Sequence, residues 1–387
     1  MSEKPGKVTY LNNAATSFPK PRGVMEAIGQ AVRLPVGSPG RAGYPTSFAA
    51  EQEVFRAREA LARLLGVSDS SHLVFTCNAT AGLNLVLRGL LEPGDHVVTT
   101  SVEHNSVARP LHFLAENGVG YTRVPCCADG RLDPKHIQAA IRPHTRLIAI
   151  VHASNVTGTI LPVEAVVQMA HERGIPVLVD AAQSAGVLPM NMEALGADYV
   201  AFTGHKGLLG PQGTGALYVR DASQVTPLCM GGTGSQSDRT EQPDFLPDKF
   251  ESGTPNVPGL AGLAAAAEFL LERGVEAVRE HEIDLMAMLL DGLRNTDGVA
   301  VYGPCDASLQ VGLVSLNVGD LDPGAAAQRL EADFGIITRS GLHCAPWAHE
   351  TIGTLNRGTL RLSVSWATTE SEIETALRAL HEICRTV

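Results

Sequence analysis

Val200 to Gly215 reads VAFTGHKGLLGPQGTG, a short apolar run that breaks into a glycine-rich turn carrying one lysine, Lys206. Val200, Ala201 and Phe202 suit the end of a buried strand, and Thr203, Gly204 and His205 then set small or hydrogen-bonding groups beside the amine. A loop lysine is usually a solvated surface residue. The other reading is an amine held out of water, neutral part of the time and able to condense with a carbonyl. Spacing alone does not separate the two, and the surrounding chain has to decide.

Outward from this turn the chain has a rhythm. Apolar runs at Leu73 to Phe75, Val97 to Thr99, Leu147 to Val151, Val177 to Val179 and Tyr199 to Phe202 alternate with helical patterns at Ala79 to Leu91, Val107 to Asn117, Pro134 to Ile141 and Val163 to Arg173. Ala216 to Val219 closes the series. Strands without a polar face, alternating with helices, predict an α/β fold with a mainly parallel sheet covered by helices. Before it lie a short helix marked by Val24, Ile28, Ala31 and Val32, a Gly/Pro loop from Ser38 to Ser47 carrying Arg41, and a long helix from Phe48 to Leu65. That long helix is expected to bury Phe55, Leu61, Leu64 and Leu65 and to end at Gly66. After it, Met230 to Pro258 is a Gly/Ser/Asp/Pro-rich stretch too long for an ordinary connection. A helical pair over Leu260 to Arg294 follows. Strands near Val299, Val311 to Val318 and Leu360 to Ser363 then mix with helices at Pro323 to Phe334 and Glu370 to Cys384, a smaller α+β unit.

A chain of 387 residues with 44% hydrophobic and 18% charged residues is globular throughout and long enough for two domains. Its formal charge of -11 argues against nucleic acid or an anionic membrane as main partner. The start, MSEKPGKVTYLNNAATS, has no continuous apolar core of signal-peptide length, and no later segment offers 18 uninterrupted apolar residues, which places the protein in the cytoplasm as an expectation. The seven cysteines, at 77, 126, 127, 229, 305, 344 and 384, form no CxxC pair and read as reduced thiols, one of them a candidate nucleophile.

Several predicted strand ends carry chemistry, and open α/β sheets bind ligands at those ends. In VLVDAAQSAG a strand delivers Asp180, with Gln183 three residues on. Asp180 is either a helix cap or a buried carboxylate able to hold a protonated ring nitrogen. In VFTCNATAGLN a helix starts near Ala79, where the N–H groups of Ala79 and Thr80 and the Thr80 hydroxyl cap the helix or cradle a phosphate. His104 in SVEHNSVARP satisfies backbone groups or stacks on a flat cofactor, and Asn155 in HASNVTG caps or binds a ligand. No GxxxxGK and no complete GxGxxG after a strand is present, which weakens ATP and nicotinamide readings. A phosphate cradle, a flat-face contact, a carboxylate and a lysine together describe a pocket for pyridoxal 5′-phosphate.

Farther on, ITRSGLHCAPWAHETIG sets Cys344 in a Gly/Pro-bounded loop, and Arg361 follows in GTLRLSVSWA. The loop holds an incidental thiol or carries a nucleophilic thiolate to a substrate whose carboxylate Arg361 grips as a fork. A metal set of His343, Cys344 and His349 lacks a fourth ligand and the usual spacing, so no metal is expected.

The motifs YLNNAATS, NATAGLN, VEHNS, SNVTG, DAAQSAG, TGHKGLLGP, FESGTPN and TRSGLHCA occur here in an order that resembles the class V aminotransferase-like pyridoxal-phosphate enzymes, and within them the cysteine desulfurases of the SufS-like type, which include selenocysteine lyases. The resemblance implies a fold type I, aspartate aminotransferase-like architecture. It implies a large cofactor domain over 17–257, a small domain over 258–387 with 1–16, and a homodimer in which Gly253 and Thr254 reach the partner's phosphate. Lys206 matches the lysine that bonds the cofactor, Asp180 the partner of the ring nitrogen, Gln183 the donor to the ring oxygen and His104 the stacked residue. Ala79, Thr80, Thr203 and His205 match phosphate contacts, Asn155 and Arg361 the substrate-carboxylate site, Cys344 the sulfur-accepting thiol and Arg339 the entry to its loop. Leu342 and Asn105 stand where related enzymes often carry a second histidine. The implied reaction converts L-cysteine to L-alanine and passes sulfur through a Cys344 persulfide to an acceptor protein, as in iron–sulfur cluster assembly. Selenocysteine cleavage, a transaminase or epimerase reaction, and a non-catalytic sulfur-delivery partner are the alternatives.

Overall fold

The computed structural model describes residues 8–33, 37, 39 and 45–386. Arg41, most of its loop and the first seven residues lie outside the described residues. The chain begins with a short strand β1 (Thr9–Tyr10) and helices α1 (Arg22–Arg33) and α2 (Pro45–Leu65). The alternating block runs β2 (Leu73–Thr76), α3 (Ala79–Leu90), β3 (His96–Thr100), α4 (Asn105–Glu116), β4 (Gly120–Val124), α5 (Pro134–Ala140), β5 (Thr145–Val151), α6 (Val163–His171), β6 (Val177–Asp180), α7 (Met192–Leu195), β7 (Tyr199–Thr203) and β8 (Gly215–Val219). The helical pair is α8 (Val257–Arg273) and α9 (Val275–Arg294). The remainder is β9 (Val299–Tyr302), β10 (Leu313–Val318), α10 (Pro323–Phe334), β11 (Ile336–Ile337), β12 (Arg339–Gly341), α11 (Pro346–Thr351), β13 (Thr359–Ser363) and α12 (Glu370–Cys384).

The larger sheet has the order β2-β8-β7-β6-β5-β3-β4, parallel throughout except for β8, which runs against β2 and β7. The α/β expectation of a mostly parallel, helix-covered sheet therefore holds. Its central strands are apolar on both faces because helices cover both. Every residue of β6 and β7 is buried, and Phe202 at 0% exposure contributes roughly 2–3 kcal/mol of transfer free energy. The strand β4 escapes the sequence pattern because GYTRV is a polar edge strand with one buried residue.

A second, four-stranded antiparallel sheet, β12-β13-β10-β9, carries α10 and α12 around its own apolar cluster. The parallel pair β1-β11 ties Thr9 to Ile336, and Asn12 bridges Ser363, so the start of the described chain is bound to its C-terminal part. One expectation fails on α2. Phe55 is 60% exposed, because the stripe that packs against α8 is Ala50, Ala57, Leu61 and Leu65, and Phe55 lies off that 3.6-residue line.

Candidate active site

The C-terminal ends of β2, β3, β5, β6 and β7 lie along one edge of the larger sheet and open into a cleft. Ala79, Thr80, His104, Asn155, Asp180, Gln183, Thr203, His205 and Lys206 all line it. Residues spread over 128 positions of sequence converge there because parallel strands end on the same side.

At one end of the cleft, the Asn78 side chain caps α3 by accepting from the Ala81 N–H at 3.0 Å. The first N–H groups of the helix are left facing the cleft. The Thr80 and Ser106 hydroxyls lie 2.7 Å apart, and the Ser106 hydroxyl lies 2.8 Å from His104 Nδ1. His104 is itself the N-cap of α4, with Nδ1 accepting the Ser106 N–H at 3.1 Å. That contact leaves Nδ1 without a proton to spare, and burial together with the Lys206 and Arg339 charges pushes His104 down to about 4. His104 is thus a neutral ring at pH 7, held by its cap bond to the Ser106 N–H. Ser106 is a site residue that sequence reasoning missed; its only signal was a hydroxyl two residues past the cap.

Asp180 ends β6 and is 3% exposed. One oxygen accepts the Ala182 N–H at 2.9 Å, and burial pushes the carboxyl up while the Lys206 charge pulls it down. A buried carboxylate beside a cationic ligand nitrogen remains charged, so the arrangement favours a protonated base there. The Lys206 amine is pushed down to about 8, first by burial, with the Arg361 and Arg339 charges adding to the effect and Asp180 opposing it. Two glycines hold these turns together. A Cβ on Gly186 would lie 2.5 Å from the Gly207 carbonyl oxygen, and one on Gly207 would lie 2.6 Å from that of Ala185. The glycines of DAAQSAG and GHKG are therefore a backbone-to-backbone contact that keeps Lys206 beside Asp180.

The Gln183 amide nitrogen donates to the Ala14 carbonyl at 3.0 Å, which fixes the side chain and leaves its second hydrogen for a ligand. The His205 carbonyl accepts from the Ser17 N–H at 2.9 Å and from Lys20 Nζ at 2.9 Å, whereas its buried Nδ1 has no partner.

The smaller sheet supplies the rest. Arg361 on β13 is 1% exposed, and one amino group donates to the Asn155 carbonyl at 2.8 Å. Its Nε and Nη2 are buried without partners, and burial with the nearby Arg339 charge pushes it down to about 9. The Asn155 amide meanwhile donates to the His343 carbonyl at 2.7 Å, so Asn155 anchors both Arg361 and the cysteine loop. Arg339, cross-strand from Arg361, reaches Cys344 Sγ at 3.7 Å. His343 and Cys344 both have positive φ, 48° and 58°, in a turn closed by the Asn105 N–H donating to the Cys344 carbonyl at 2.8 Å. The Cys344 side chain is exposed, whereas His343 is buried against Thr359 and is pushed down to about 2.

Two predicted residues stand apart. Gly253 and Thr254 are exposed and line a different, larger cleft with Arg58, Phe75 and Cys77. The structure does not bring them to this chain's own Lys206. A second missed residue is Glu103, fully buried next to His104, with Oε1 accepting from the Thr100 hydroxyl at 2.6 Å and the Val151 N–H at 3.0 Å. Nothing in the local pattern marks a glutamate for burial.

A cleft that joins a buried, partly deprotonated lysine, an acid at a strand end and a helix start, with a buried arginine bonded to its Asn155 wall, defines a group-transfer site for amino-acid-like anions. The chain belongs to the aminotransferase class-V family, which matches residues 9–376. Its relatives carry a more particular name. It is 36% identical over 386 residues to a probable cysteine desulfurase of Methanothermobacter thermautotrophicus, covering 97% of this chain and 94% of that protein. It is 32% identical to a cysteine desulfurase of Pectobacterium atrosepticum, covering 98% and 93%. The apo structure of a cysteine desulfurase from Thermococcus onnurineus superposes with a TM-score of 0.92 at 33% identity, covering 98% of this chain and 95% of that one.

Proposed function

We propose that this chain is a pyridoxal 5′-phosphate-dependent cysteine desulfurase that moves the sulfur of L-cysteine onto Cys344 and releases L-alanine. The observation that carries the reading is Arg361, a buried guanidinium with two unpartnered donors that is bonded to the cleft-lining Asn155 and near enough to Lys206 for its charge to act on the amine. Two parallel N–H donors match a substrate carboxylate, and a buried arginine without one leaves polar groups unpaired.

The residues fit the cofactor as well. The α3 start with the Thr80 hydroxyl, Thr203 and the unpartnered His205 Nδ1 would hold a phosphate, Asp180 a ring nitrogen, the second Gln183 hydrogen a ring oxygen, and His104 a ring face. When bound, pyridoxal phosphate supplies an aldehyde for amines and an electron-withdrawing pyridinium that makes a substrate Cα–H acidic. Asp180 keeps that nitrogen protonated. Lys206 takes the Cα proton and returns it, a task suited to an amine poised at about 8. Arg361 and Asn155 fix the carboxylate so that the substrate sulfur faces Cys344. The Cys344 thiolate, with Arg339 beside it, attacks that sulfur. An S–S bond forms as the C–S bond breaks, and the electron pair left on carbon is protonated to give alanine.

Around this core we infer a division into 17–257 and 258–387 with 1–16, supported by two separate sheets with their own apolar clusters, although α8 packs on α1 and α2 of the first unit. The exposed Gly253 and Thr254 suit a homodimer in which they complete the partner's phosphate site. An acceptor protein would take the persulfide sulfur at the exposed Cys344. A cytoplasmic setting agrees with seven unpaired cysteines. Among the described residues no helix is long and apolar enough to cross a membrane.

The test is alanine release from wild type and Cys344→Ser with L-cysteine and with L-selenocysteine, alongside mass spectrometry of Cys344 for one added sulfur. Loss of cysteine turnover in the variant, with the extra sulfur present in wild type, is expected. Unchanged cysteine turnover would remove the persulfide role. Turnover of selenocysteine alone would make the protein a selenocysteine lyase.

A further inference from the structure

The turn that carries Lys206 satisfies the carbonyls on either side of His205 from within itself. The Gly204 carbonyl accepts the Gly210 N–H at 2.7 Å, and the Lys206 carbonyl accepts the Leu209 N–H at 2.8 Å. The His205 carbonyl between them is different. Among the described residues, every hydrogen bond it accepts comes from the start of the chain: the Ser17 N–H at 2.9 Å, Lys20 Nζ at 2.9 Å, and the Thr16 and Ser17 hydroxyls at 3.2 Å each. That carbonyl and the Lys206 nitrogen belong to one planar peptide unit, so whatever holds the oxygen also orients the chain entering Lys206.

Lys20 is the unusual member of this set. Its ammonium also donates to the Ser17 hydroxyl at 2.7 Å, and it is half-buried on these neutral oxygens. Burial pushes it down to about 8 with no carboxylate to offset the shift. A charge withdrawn from water without a counter-charge costs stability. Such a cost next to a reacting amine marks a functional position more than a structural one. The donors are themselves anchored. Asn13 Oδ1 accepts the Phe18 N–H at 3.0 Å, while Asn13 Nδ2 donates to the carbonyl of Ser363, on the same strand as Arg361, at 2.9 Å. Trp366 Nε1 donates to the Pro19 carbonyl at 3.3 Å. The smaller sheet thus holds the segment that holds the turn.

We propose that Lys20 is a positioning residue for Lys206, its ammonium bridging the Ser17 hydroxyl and the His205 carbonyl so that the peptide entering Lys206 keeps one orientation. The amine has to bond the cofactor, leave it for the substrate and return, and a charge-assisted bond on the adjacent carbonyl keeps its root fixed throughout. Lys20 does not line the cleft and acts through the main chain alone. The inference rests on the reading of Lys206 as the amine that bonds the cofactor.

Holoenzyme and cofactor-free protein test it together. In Lys20→Met, which removes the donor, kcat for alanine release from L-cysteine should fall about tenfold while KM moves less than about twofold, because the Arg361 fork is untouched. Capture of pyridoxal phosphate by the cofactor-free variant, followed by absorbance, should slow about fivefold. Lys20→Arg keeps a cationic donor and should recover most of both losses. Ser17→Ala deletes only the hydroxyl beside the ammonium and should slow both rates by about threefold.

Wild-type kcat and capture in a folded Lys20→Met overturn the proposal, whatever its Tm, and so does a loss that Lys20→Arg leaves unrelieved. Should Lys20→Met not fold, unchanged rates in Ser17→Ala overturn it. A wild type that captures the cofactor but releases no alanine overturns the desulfurase reading instead, and the capture rates then decide on Lys20. A wild type that captures no cofactor removes the reading of Lys206 and this proposal with it.

Discussion

Arg361 and Asn155 are joined across the two sheets by a 2.8 Å hydrogen bond from the guanidinium to the main-chain carbonyl, with Nε and Nη2 of Arg361 left unpartnered. The bond aims the fork and uses only one of its edges. Arg361→Lys keeps the charge and loses the fork. It should cost about 3 kcal/mol, roughly a hundredfold in kcat/KM for cysteine. Steady-state kinetics with thermal melting check it. A change under threefold in a folded variant would place the carboxylate elsewhere.

Lys206 should capture pyridoxal phosphate at lower pH than a free lysine. The neutral amine is the nucleophile, so the capture rate of the cofactor-free protein should rise with pH through about 8, well below 10.5. Stopped-flow absorbance across pH 6 to 10 reads this directly. Lys206→Ala should show no borohydride-stable adduct.

The contact between Gly186 and Gly207 predicts a steric effect. In Gly207→Ala the new methyl meets the Ala185 oxygen and a Val187 methyl carbon, both at 2.6 Å. Overpacking of this kind costs about 1–3 kcal/mol. The lowered Tm should come with weakened cofactor retention, since the turn that moves carries Lys206. A wild-type Tm would show that the two turns do not touch.

Glu103 is held up at about 8 by burial. A raised acid stabilises the fold fully below its unfolded value near 4.5, and that contribution is lost as pH rises through about 8. Glu103→Gln removes the ionisation while keeping an acceptor for Thr100 and Val151. The variant should gain on wild type as pH rises from 5 to 9 in denaturant titrations. A constant difference across that range would count against a titrating Glu103.

The helix after Cys344 is clamped to the larger sheet. Trp347 stacks on Tyr121 at 5.9 Å under the Arg123 guanidinium, Arg123 pairs with Glu350 at 2.6 Å, and the Thr351 hydroxyl donates to the Ser101 carbonyl at 2.9 Å. The ion pair is exposed, so Glu350→Ala should change stability by less than about 1 kcal/mol. Trp347→Ala should loosen the loop and raise the alkylation rate of Cys344 severalfold. Equal alkylation in the two variants would argue that the loop holds its shape without the clamp.

Lys206, Asp180, Gln183, His104 and the α3 start were legible in the sequence because each sits where an apolar run breaks, and runs of a parallel sheet all break on the same edge. The α/β class followed from the same periodicity. The polar edge strand β4 and the outward face of Phe55 were not legible, since both depend on which neighbour covers a surface. Glu103 and Ser106 gave no sign either, because a polar residue looks the same in sequence whether it is solvated or buried.

The sequence by itself determined the order of the elements and the chemical inventory of the site, because short-range periodicity and turn residues are local properties. Only the tertiary structure decided that Arg361 is bonded to Asn155 with two donors free and that Gly186 and Gly207 close on each other. Those relations join segments far apart in the chain, and burial, which sets the protonation of Lys206 and Glu103, arises only when the segments pack.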